Sequence, residues 1–209
     1  MNRDNLIIEL LNEHKSAFDR AKRFSDITKQ PIPTHTVNWS QILISVVTGI
    51  NGLDRKKGPD LSDGSDVKGA SVWDAIDTPR FNGVVPAGRI LTDYKSSSSL
   101  YKNIYFVLWD YKGGQSERCR IWCVNPSKDA LFKEVVDKWY QKREAGEIKS
   151  SNFQLHPPRN KEGNIFKNTC GNLNYPLMME AIFNLKEVSY ELTFLDRNIP
   201  NEGLCNSVF

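Results

Sequence analysis

The sequence predicts a single α/β domain, bordering on α+β, built around one central sheet. Three observations lead there. A helical pattern opens the chain, strand patterns fill its middle and its end, and a further helical pattern lies between them. A length of 209 residues suits one domain. Apolar residues at 39% and charged residues at 25% are values of a packed globular chain and exclude disorder as the default state.

Arg3 to about Phe24 carries Leu6, Leu10, Ala17, Ala21 and Phe24 at three- and four-residue spacing, which predicts a helix. Gln30-Pro-Ile-Pro breaks it. Trp39 to Ile50 is nearly all apolar and reads as a buried helix stopped by Gly49 and Gly52. A charged turn follows from Asp54, and Ser65 to about Trp73 suits a strand. Arg80 to Lys102 reads as irregular. Ile104 to Tyr111 is β-branched and aromatic, a strand. Arg118 to Val124 alternates polar and apolar and reads as the second arm of a hairpin turning at Lys112-Gly-Gly-Gln. Pro126-Ser127 starts a helix reaching about Glu144, with Leu131, Val135, Val136 and Trp139 on its apolar face. A long polar loop spans 152–171, Leu177 to Phe183 reads as helical or mixed, and Val188 to Phe194 alternates as a strand. Residues 1–52 thus form a helical part, 58–125 a sheet, and 150–172 a polar loop of one 209-residue domain.

Several functions are excluded. No apolar run approaches the ~18 residues that span a bilayer, and the first thirty residues, with Asp4, Glu9, Glu13 and Asp19, do not read as a signal peptide. No phosphate-binding or dinucleotide-binding glycine loop and no G-x-S-x-G occurs, so no nucleotide cofactor is expected. Cys119 and Cys123 share a strand face, but no further ligands at zinc-finger spacing lie near; they read as reduced, buried thiols. The net charge is +3. It is concentrated between Arg80 and Tyr105, where Arg80, Arg89, Lys95 and Lys102 face one acid, Asp93. Such a patch suits a polyanion such as DNA, and equally suits a solvated loop.

The segment Gly58-Pro-Asp-Leu-Ser-Asp-Gly-Ser-Asp-Val-Lys-Gly-Ala70 carries the chemistry. On a strand Asp66 and Lys68 point the same way while Val67 points into the core. The Asp-Gly turn between them and Asp60 folds the chain back and brings Asp60 beside Asp66. Two carboxylates and an ammonium then meet at a sheet edge. Hard oxygen ligands of this kind suit Mg²⁺, which activates water and neutralises phosphodiester charge, and a lysine there orients the water or stabilises developing charge. An acid, any residue and lysine occur together six times in the chain, so the tripeptide alone decides nothing. A rival set is Asp93 with Asp110 and Lys112 at the end of the clearest strand.

Gly58-Pro-Asp60 followed by Ser65-Asp66-Val-Lys68 resembles the active-site signature of the PD-(D/E)xK nucleases, especially type II restriction endonucleases. The short spacing from Asp60 to Asp66 is similar to that of the mismatch-repair nickase and its restriction-enzyme relatives. Ala70 to Gly83 resembles MamI-like restriction enzymes. The resemblance implies a mixed sheet flanked by helices in a restriction-endonuclease-like fold, Mg²⁺ held by Asp60 and Asp66, and products with a 5′-phosphate and a 3′-hydroxyl. It also implies a homodimer acting on a palindromic site in double-stranded DNA, in the cytoplasm of a prokaryotic cell. Such enzymes often add a carboxylate from an early helix. Glu13 is the local candidate, and it also suits the solvated margin of that helix.

Side chains able to meet base edges cluster in two places. Gln154, His156, Arg159, Asn160 and Lys161 lie on the long polar loop, and Arg80, Asn82 and Arg89 form a second set. Either set also suits plain solvated surface. The expectation is a Mg²⁺-dependent, site-specific endonuclease. A repair or structure-specific nuclease and a non-catalytic DNA-binding module are the alternatives.

Overall fold

The computed structural model describes residues 2–32, 36–53, 58–73, 78–85, 101–113, 115–157, 165–168, 171–174 and 177–198. Helix α1 (Arg3–Thr28) begins where the Asn2 side chain accepts the Asn5 N–H at 2.9 Å, and it ends at Lys29 in the left-handed region. Its buried stripe is Ile7, Leu11 and His14. That stripe is displaced by one position from the expected Leu6, Leu10, Ala17 and Phe24, and Phe24 is 69% exposed. Helix α2 (Val37–Thr48) ends at Gly49 with φ 76°. It buries one face, through Leu43, Ile44 and Val47, while Val37 and Ile42 are half exposed, so it is not buried all round.

Five strands make one mixed sheet in the order β1-β2-β3-β6-β7. Strand β1 (Asp66–Ser71) is an edge, paired in parallel with β2 (Ile104–Lys112), with Asp66 opposite Ile104. Strand β3 (Ser116–Val124) returns antiparallel to β2 as the expected hairpin. Strands β6 (Leu177–Asn184) and β7 (Ser189–Leu195) extend the sheet antiparallel. Residues 177–183, expected as helical or mixed, are therefore strand. Leucine, methionine and alanine favour helix alone, but pairing on both sides overrides that propensity. Helix α3 (Ala130–Glu144) starts at Asp129, whose carboxylate accepts the Phe132 N–H at 2.7 Å. The expected start at Pro126-Ser127 is a turn instead, because Asn125 accepts the N–H groups of Ser127 and Lys128. Leu131, expected on the apolar face, is 41% exposed; Phe132 and Tyr140 are buried beside Val135, Val136 and Trp139. The polar 150–172 segment is not wholly irregular: it contains β4 (Ile165–Asn168), paired with β5 (Gly171–Asn174).

The sheet separates two cores. On one face Val67, Val107 and Trp109 pack with Ile7 and Leu11 of α1 and Leu43 and Val47 of α2. On the other, Ala70, Ile104, Phe106 and Trp122 pack with Phe132, Val136 and Trp139 of α3. Gly69 allows α2 to lie close on β1: a Cβ there would sit 2.6 Å from Ser40 Oγ. Ser40 Oγ in turn accepts the Trp109 Nε1–H at 3.1 Å. Among the described residues no helix is long and apolar enough to cross a membrane.

Candidate active site

Asp60 and Asp66 are brought together by local hydrogen bonds. Leu61 N–H bonds to Ser65 O at 3.0 Å and Gly64 N–H to Leu61 O at 3.0 Å, with Gly64 at φ 88°. The Asp63 carboxylate accepts the N–H and hydroxyl of Ser65, both at 3.0 Å, and pairs with Lys102 at 3.0 Å. This is the expected turn. It delivers Asp60 Oδ2 to the Val67 N–H at 2.9 Å, at the start of β1.

Alternation along β1 then sorts the side chains. Val67 enters the α1/α2 core, while Asp66, Lys68 and Ala70 share the α3 face. Lys68 Nζ lies 2.7 Å from Asp66 Oδ2. Asp66 is 2% exposed. Burial pushes its carboxyl up to about 6; Lys68 opposes that rise, and the neighbouring Asp60 carboxyl adds to it. A buried carboxylate beside a second carboxylate, only partly offset by one ammonium, is a place where a cation is favoured. Among the described residues no three His, Cys, Asp or Glu side chains converge. Asp60 and Asp66 are the carboxylates that the described residues bring together here.

Tyr101 lies beside these groups and was not singled out by the sequence. Its ring centroid lies 6.0 Å from Lys68 Nζ, near the limit of cation–π attraction. Burial, then the charges of Asp66 and Asp60, push its phenol up to about 12. Tyr101 precedes β2 by three residues, and only the β1–β2 pairing places it here; nothing local marks it.

The rival acids are organised differently. Asp110 is six residues along β2 from the position opposite Asp66, about 20 Å away at strand spacing. Both its oxygens are taken: Arg118 donates to Oδ1 at 2.9 Å and to Oδ2 at 2.8 Å, and Arg120 donates to Oδ2 at 2.7 Å. Lys112 is exposed and Asp93 lies outside the described residues. Glu13 is exposed on α1, which packs on the opposite face of the sheet from Asp66 and Lys68. The one-position shift of the α1 stripe puts His14 inward and leaves Glu13 in the solvated position that was its alternative reading.

Of the expected DNA-contacting residues, Arg80 and Asn82 are exposed and Gln154 and His156 are half buried. A bridge between Phe81 and Leu155 joins the two sets. Arg89, Arg159, Asn160 and Lys161 lie outside the described residues.

A family model described as MamI restriction endonuclease matches residues 23–188. The type II restriction enzyme MamI of Microbacterium ammoniaphilum is similar to this chain, with 29% identity over 194 residues. That alignment covers 86% of this chain and 61% of the relative, so the chain spans about three-fifths of the relative's length. No solved structure matches the chain.

Proposed function

Since the chain belongs to the MamI restriction endonuclease family, we propose that it is a Mg²⁺-dependent endonuclease that hydrolyses phosphodiester bonds at specific sites in duplex DNA. The observation that carries this reading is the convergence of Asp60, Asp66 and Lys68 on one face of an edge strand, inside the matched region. A surface ion pair would need no such arrangement, and its removal would cost nothing measurable. Asp66 is instead buried at an energetic cost that folding alone does not require, which favours catalysis over a non-catalytic binding module.

Asp60 and Asp66 would hold Mg²⁺, which supplies a lowered pKa for bound water and neutralises charge on the scissile phosphate. Asp60 is fixed for this by the Val67 N–H. Lys68, reaching from the same strand face, orients the attacking water or stabilises the charge that develops on phosphorus. A free 3′-hydroxyl and a 5′-phosphate result. Arg80, Asn82, Arg89, Gln154, His156, Arg159, Asn160 and Lys161 form the proposed DNA-contacting set. A homodimer on a two-fold target is the matching assembly, and the cytoplasm of a prokaryotic cell the matching compartment.

The experiment is digestion of plasmid DNA with and without Mg²⁺, followed by sequencing of the ends. Discrete, metal-dependent ends are expected, and Asp66→Ala should abolish them while specific binding survives. No cleavage of any duplex in Mg²⁺ or Mn²⁺ would remove the enzyme reading.

A further inference from the structure

Phe81 and Leu155 exchange both backbone hydrogen bonds, at 2.8 and 3.1 Å, and the Val84 N–H reaches Phe153 O at 3.2 Å. Two segments far apart in the chain thereby form a short two-stranded ribbon. Its apolar side chains, Phe81, Val84, Phe153 and Leu155, enter the same core that underlies Ala70 of the catalytic strand. Its other face is polar and uncharged at the centre. There the Asn82 Oδ1 accepts the Nδ2–H of Asn152 at 3.2 Å and the Nε2–H of Gln154 at 2.8 Å, and Asn152 Oδ1 accepts the Gly83 N–H at 2.7 Å.

We propose that this ribbon reads DNA bases, with Asn82 as a positioning residue that holds the Gln154 amide for a paired hydrogen bond to one adenine of the target site. The proposal rests on the DNA-cleaving function proposed above. Asn82 occupies one N–H of Gln154 and leaves it a second N–H and its Oε1. Adenine presents an acceptor, N7, beside a donor, the N6 amino group, in the major groove, and a side-chain amide matches both. Guanine offers two acceptors there and suits a guanidinium instead. A neutral amide can contact phosphate as well as a base edge, but only the base contact depends on sequence, and the test below separates the two. Anchoring Gln154 to a ribbon rooted in the core lowers the ordering cost of the contact.

The test uses the full chain and a duplex carrying its site, identified by sequencing cut ends or by selecting bound duplexes. Each adenine is replaced in turn by 7-deazaadenine, which lacks the N7 acceptor. One replacement should weaken specific binding roughly five- to a hundredfold, the range for one paired base contact. Gln154→Ala should lose a similar factor, and adding the replacement to that variant should cost nothing further. Asn82→Ala should lose part of the factor at the same adenine. Binding to random duplex and thermal unfolding should be unchanged in both variants, since these side chains are not in the core. Tolerance of 7-deazaadenine at every position, a site without adenine, losses that add, or equal losses on random DNA would overturn the proposal while leaving the nuclease reading intact. Absence of any specific binding or cutting by the unaltered chain would overturn both.

Discussion

Acidification should destabilise the protein through one imidazole. His14 is 5% exposed and lies among three indoles, with ring centroids 4.1 Å from Trp109, 5.0 Å from Trp39 and 5.2 Å from Trp73. Its Nδ1 is buried and has no hydrogen-bond partner among the described residues. Burial pushes its pKa from 6.5 down to about 4. The unfolded chain therefore binds a proton that the folded chain refuses between those two pH values. Stability from this group is fully present above pH 6.5, falls as the pH drops, and is lost by about pH 4. The loss amounts to roughly 3 kcal/mol. Asp66 has the opposite sign: its folded pKa is raised, so the cost of its charge is present above about 6 and is relieved toward 3.8. That contribution is common to the wild type and to His14→Leu and cancels in their difference. Urea unfolding of both proteins at pH 7, 5.5 and 4 in EDTA, followed by tryptophan fluorescence, measures that difference. It should shift toward the variant by about 3 kcal/mol between pH 7 and 4. A difference that stays constant with pH would refute the reasoning.

Three further outcomes can be checked directly. Lys68→Ala should slow single-turnover cleavage by a large factor while duplex affinity, measured by titration, changes little; equal losses would make Lys68 a phosphate anchor. Asp110→Ala should lower thermal stability by roughly 3–5 kcal/mol, because it strips the carboxylate from two buried guanidiniums, Arg118 and Arg120. A folded, stable and inactive Asp110→Ala protein would instead support the rival acids. Gly69→Ala should cost about 1–3 kcal/mol by forcing α2 from β1, read as a lower melting temperature, and Ser40→Ala should recover part of the loss in the double variant.

The site was legible in the sequence where its parts are local. Asp60, the Asp63-Gly64 turn, Asp66 and Lys68 lie within nine residues, so turn chemistry and strand alternation suffice to assemble them. Tyr101 and the 81–155 ribbon depend on pairing between distant segments, which no local pattern reports. The clear strands are those, like β2, whose residues favour strand on their own account. Strand β6 is written in helix-favouring residues and is decided by its neighbours. In α1 the run Leu-Ile-Ile-Glu-Leu-Leu offers two apolar stripes one residue apart. The choice falls to the indoles that surround His14, and with it Glu13 moves from a candidate ligand to an exposed side chain.

Parallel pairing of β1 with β2 has an evolutionary consequence. The chain leaves the far end of β1 and must travel back the length of the sheet before β2 begins, and Arg80 and Asn82 ride on that return path. Asp66 and Lys68 are fixed by strand register, whereas on the path between the strands the described residues 78–85 are held by the Phe81–Leu155 pairing and by the burial of Phe81, Val84 and Val85, with Arg80 and Asn82 left exposed. Insertions and substitutions in a connection of this kind are tolerated far better than changes in the strands it joins. If Asn82 reads DNA as proposed, a lineage built on this scaffold can change its sequence preference at the exposed positions of the return path, while the strand positions of Asp66 and Lys68 stay as they are.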